Sequence, residues 1–259
     1  MKRGDLVAAG IAAVASVDFV ARARHIAELV PEDARWALPV AGVGIVALAI
    51  LVWQRRASAG LVALLALSAL GWRADFLDGG PRREFYASGV ALLGWCMGLG
   101  WGKSTRDPDE LEVAELGAAA ALAATYFSAG MSKLVVGGLE WAGEARTLRA
   151  MILTVRAVAD GPLTGWDRIG QMVIENPALA RLLAIATLVV QLGAPLWLCG
   201  RWLRLSWGVM LLGFHMSVQA LTGISYREQM ALVVLLSLSS LVSLLQSAWA
   251  RRTNAAGAR

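Results

Sequence analysis

The reading of the fold turns on residues 113–139, VAELGAAAALAATYFSAGMSKLVVGGL. At about 1.5 Å per residue, a helix of this length covers the roughly 30 Å of a hydrocarbon core. The surrounding composition points the same way. The chain has 259 residues, of which 58% are hydrophobic and 17% charged, with a mean hydropathy of +0.59. Soluble domains average about 45–50% apolar and about 25% charged, so disorder and an ordinary water-soluble core are both poor fits. The 27 Gly show no three-residue period and there are 2 Cys, which excludes collagen-like and disulfide-stapled folds. The expected class is all-α: a polytopic integral membrane bundle of about eight spans, with six to eight as the range.

Outward from that stretch, apolar runs define the other spans: Leu6–Ala21, Trp36–Trp53, Ala59–Trp72, Phe85–Trp101, Ala178–Gly200, Trp202–Gly223 and Gln229–Trp249. Trp36, Trp53, Trp72, Trp101, Trp202 and Trp249 stand at their ends, where amphipathic rings settle at headgroup level. Basic residues concentrate in short connections (Lys2, Arg3, Arg55, Arg56, Lys103, Arg106, Arg201, Arg204, Arg251, Arg252 and Arg259), which predicts both termini in the cytoplasm of a cell-membrane protein. The net charge of +5 then reflects topology and not a nucleic-acid footprint. Lys2, Arg3 and the Ala13-Val14-Ala15 stretch resemble a secretory signal, but Asp5 interrupts the basic region, and a retained first span is expected.

The expected organisation is a four-helix half over 1–112, a second membrane half over 113–250 and a short tail, 251–259. Asp107-Pro108-Asp109 is a turn and helix start. Within the second half, segment 140–177 places Arg146, Arg149 and Arg156 among Leu148, Met151, Ile152 and Val155, as an interfacial amphipathic helix would. Two readings of it stand: packing on the membrane surface, or a lid over an outward-facing pocket.

Ionisable groups in hydrocarbon cost about 2.5–3.5 kcal/mol or more, so they tend to line cavities or pair. Lys133 shares a helix face with Tyr126, Gly130 and Gly137 (i, i+4, i+7, i+11), and the glycines leave a groove beside the amine. Desolvated there, the amine is a candidate general base; snorkelling to the interface is the competing reading. His215, Gln219 and Thr222 fall on one face of a later span, suited either to proton transfer or to interhelical hydrogen bonding. Asp18 is a candidate ion-pair partner for Lys133, His215 or Arg22. No zinc spacing, Walker loop or dinucleotide fingerprint appears, and Cys96 and Cys199 read as packed, inert thiols.

Tyr126-x-x-Ala129-Gly130-x-x-Lys133-Leu134, followed by Trp141-x-Gly143, resembles the signature of the horizontally transferred transmembrane (HTTM) domain, the membrane part of vitamin K-dependent gamma-carboxylases. A Pro-bearing span at Gln191–Trp197 and the later Phe214-His215 continue the likeness in order. The resemblance implies a quinone or hydroquinone cofactor, Lys133 as the base that deprotonates it and His215 in the same pocket; the expected contacts to such a ligand are Tyr126, Gly130, Gly137, Trp141 and Gln219. The carboxylases carry a large extramembrane domain; here Arg251–Arg259 follows the last expected span. Two functions are therefore expected to compete. One is a quinone-linked membrane enzyme of carboxylase or oxidoreductase type. The other is a non-catalytic assembly, maturation or immunity partner of a membrane or exported protein. A transporter is a third reading, with no clear repeat to support it.

Overall fold

The computed structural model describes residues 6–15, 17, 87–107, 109–158, 165–223 and 226–257, and all regular structure among them is helical. The elements are α1 (Leu6–Ala15), α2 (Ala87–Thr105), α3 (Glu110–Gly137), α4 (Glu140–Gly143), α5 (Arg146–Val158), α6 (Gly165–Glu175), α7 (Pro177–Leu192), a 3₁₀ turn (Ala194–Leu198), α8 (Arg201–Thr222) and α9 (Arg227–Gly257). The chain divides into two compact units, Met1–Leu122 with Ala231–Arg259, and Ala123–Met230.

The eight-span bundle is not supported. Among the described residues α3 alone is long and apolar enough to cross a membrane, or two spans if the pair Arg168–Glu175 and Pro177–Leu192, bent by 103°, is taken as one crossing. The reason lies in how the other apolar runs are cut. α7 stops after 16 residues, where Gly193 and Pro195 turn the chain into the 3₁₀ segment. α8 carries Arg201, Arg204 and His215, and glycines dilute the apolar content of α2. The expected spans 36–53 and 59–72, with most of the first beyond Ala15, lie outside the described residues.

In the first unit, α2 and the start of α3 approach backbone to backbone. A Cβ added at Gly94 would lie 2.3 Å from the Gly117 carbonyl oxygen, and one at Gly98 would lie 2.5 Å from that of Val113. Small residues on both helices permit such approach, and the dispersion contacts it brings hold the pair together. The connection is short: the Asp107 carboxylate accepts the Asp109 amide at 2.8 Å, Arg106 takes φ of 54°, and Glu110 and Glu112 occupy the first turn of α3. Acids there favour the positive end of the helix dipole. Glu115 follows at 1% exposure and accepts the Ser239 hydroxyl from α9.

In the second unit, Ala145, Ile152, Val173, Ala180 and Ala184 form a fully buried core, with Leu148, Leu179 and Leu183 packed against it. The described residues of segment 140–177 thus lie mostly in α4, α5 and α6, and one face of α5 and of α6 is buried in protein. α7 begins at a strong cap: the Asn176 carboxamide oxygen accepts the Ala178 and Leu179 amides, both at 3.1 Å, and Pro177 fills the first helical position. At its other end the Trp207 ring covers Gly193 and donates its indole N–H to the Val190 carbonyl at 3.2 Å. α8 closes with Gly223 in the left-handed region at φ of 69°, its amide bonded to Gln219 O.

Candidate functional site

All site geometry described here lies in the second unit. The i, i+4, i+7 face of α3 is real, but its members meet different partners. Tyr126 is buried, and its Oη lies 2.6 Å from Nε2 of His215 on α8. The Phe214 and Tyr226 rings each stand 5.2 Å from the His215 ring, so the imidazole is walled by aromatics and is 3% exposed. That burial pushes the imidazole down to about 4, because the charged form loses its water. The ring is neutral at pH 7. The other ring nitrogen, Nδ1, is buried and has no partner among the described residues.

One turn along α3, Gly130 faces α7: a Cβ there would meet Gln191 and Leu192 at 3.0 Å. Gln191 is 4% exposed, and its Oε1 is likewise buried without a partner among the described residues. Two turns beyond Tyr126, or about 10 Å along the axis, Lys133 is half-buried. Its ammonium donates to the Ala129 carbonyl at 3.2 Å and lies 5.7 Å from the centre of the Trp141 ring. Trp141 also fills the notch at Gly137, where an added Cβ would come within 2.8 Å of it. The two glycine notches are therefore occupied by protein side chains.

Gln219 is exposed while His215 and Thr222 are buried, so that expected polar face is split between surface and interior. Asp18 lies outside the described residues. Cys199 is exposed, contrary to the packed thiol expected, because the 3₁₀ turn that ends at Leu198 puts it at a surface bend. Cys96 is half-buried, and burial raises its thiol pKa. Among the described residues no three His, Cys, Asp or Glu side chains converge as metal ligands.

A cavity of about 230 Å³ opens between α5, α7 and α8. Leu148 and Met151 come from α5, Thr187 and Val190 from α7, and Met210 and Phe214 from α8. Ala186, Met210 and Ser217 are exposed at its rim, so a ligand has a way in. Phe214 links the two features of the unit, lining the cavity while its ring packs against His215. Neither His215 nor Lys133 is a lining residue.

Two residues, Glu115 and Gln191, and the cavity walls were not singled out from the sequence. Glu115, an acid inside an alanine-rich helix, was visible as an ionisable group in an apolar run. Gln191 was visible only as a residue near a proline. The cavity walls left no signal, since leucine, methionine and threonine at helical spacing are what any core contains. No protein-family model matches the chain, and neither the curated proteins nor the solved structures include a match.

Proposed function

We propose that the chain is a membrane-associated binding protein for a small apolar molecule of quinone or isoprenoid type, held between α5, α7 and α8. One observation carries this reading: an apolar cavity of about 230 Å³ with an open rim. Ligand pockets are concave and mostly apolar, with few polar groups. This one is small for a drug-sized molecule and suits a single substituted ring or a short isoprenoid unit. Met151, Met210 and Phe214 supply polarisable and aromatic surface that packs well on such a ring. α3, as the candidate membrane span, supports the membrane association.

The groups lining the cavity support the binding of a ligand. The Lys133 amine is engaged by a carbonyl and an indole ring, and the cavity wall contains no ionisable side chain. The filled notches at Gly130 and Gly137 favour a second reading of the Tyr126–Lys133 motif, as a packing element of a non-catalytic membrane partner.

The test uses the full chain in lipid nanodiscs, with duroquinone as the probe and quenching of tryptophan fluorescence as the signal. Saturable quenching is expected, weakened at least tenfold when Ala186→Phe and Thr187→Leu fill the cavity. Leu182→Ala, at an exposed position off the cavity, is expected to leave it unchanged. Quenching that never saturates, or that ignores the filling variant, overturns the proposal.

A further inference from the structure

We infer that the cavity selects hydroxyl-bearing apolar ligands, phenols or alcohols, over ethers, ketones and carboxylates of the same size. The inference rests on the ligand reading above and sorts the chemistry of that ligand: a quinone, as a diketone, binds here through its apolar ring alone, and a reduced ring bearing O–H groups binds tighter.

Three of the twelve lining residues have polar side chains, Thr187, Ser217 and Thr222. A hydroxyl has one proton to donate and two lone pairs to accept with. Thr187 Oγ1 donates to Leu183 O at 2.8 Å, and Ser217 Oγ donates to Gly213 O at 2.8 Å. Thr222 Oγ1 donates to Val218 O at 2.7 Å. Each proton is thus directed into the hydroxyl's own helix, four residues back. What Thr187 and Ser217 present toward a ligand is lone pairs.

The rest of the wall is hydrocarbon and thioether, so no lining side chain offers a free donor. A ketone or ether oxygen entering here would lose its water and gain no hydrogen bond unless a wall hydroxyl first broke its own. A carboxylate would meet no cation, and an ammonium no carboxylate; both would be buried unpaired. A neutral O–H group meets acceptors already in place.

The experiment displaces duroquinone from the full chain in nanodiscs with 4-butylphenol and with 4-butylanisole, a pair that differs by methylation of the donor. The phenol is expected to bind at least about fivefold tighter, the effect of about one net hydrogen bond. In Thr187→Val/Ser217→Ala that preference should fall to within twofold while anisole affinity holds. Thr187→Ser, which keeps the hydroxyl, should retain the preference. Equal affinities in the unaltered chain, or a preference that survives the double variant, overturn the inference and leave the binding reading intact. Absence of saturable duroquinone binding removes the cavity reading and this inference with it.

Discussion

At the scale of single residues, the Tyr126–His215 pair makes the sharpest predictions. Tyr126→Phe removes the phenol from a buried imidazole nitrogen and should destabilise the second unit by about 1–3 kcal/mol, the cost of an unsatisfied buried polar group. The double variant Tyr126→Phe/His215→Phe should cost less than the sum of the singles, and a double-mutant cycle by chemical denaturation would read the difference. The imidazole also makes stability depend on pH. Its folded-state value of about 4 lies below the usual 6.5. The unfolded chain therefore takes up the proton first as pH falls, and stability is lost. The contribution is complete above about pH 6.5 and drains away between there and about pH 4, on the order of 3 kcal/mol in all. Melting curves across that range should flatten in His215→Gln; an unchanged slope would show that the ring is not the titrating group. The thiols differ too: maleimide should modify exposed Cys199 in the folded chain well before half-buried Cys96, as mass spectrometry of digests would show.

At the scale of elements, the α2–α3 contact and the α6–α7 corner are the places where one side chain decides geometry. Gly94→Ala would bring a methyl group onto the Gly117 carbonyl at 2.3 Å, a backbone atom that has no rotamer to yield. It should cost about 3 kcal/mol, the upper end of overpacking, and outweigh the gain of up to about 1 kcal/mol in helix propensity. Gly100→Ala, with open space around it, should be neutral or stabilising; equal losses at the two positions would refute the close approach. At the corner, Asn176→Ala leaves the Ala178 and Leu179 amides without their acceptor and should cost about 1 kcal/mol, while Asn176→Ser keeps most of the cap. Amide exchange at the start of α7 would read this directly.

At the scale of the whole molecule, α3 as a membrane crossing predicts opposite sidedness for its two ends. Single cysteines at Glu112 and at Leu139, in a Cys96→Ser/Cys199→Ser background, should be labelled from different faces of sealed vesicles by an impermeant maleimide. Labelling of both from one face would show that the helix does not cross. Residue chemistry by itself determined the local features: the all-helical class, the start of α3 after Asp107–Asp109, and the shared face of Tyr126, Gly130 and Lys133. These depend on interactions within a turn or two, which residue order specifies. Tertiary structure decided the rest. It packed the Trp207 ring over Gly193, at the break where one apolar run becomes a helix of 16 residues and a 3₁₀ turn. It filled the glycine notches with Gln191, Leu192 and Trp141, paired Tyr126 with a histidine 89 residues away, and shaped a cavity from three helices. Hydropathy counts how apolar a segment is and carries no information about which surface covers it; burial against protein and burial in lipid require the same residues.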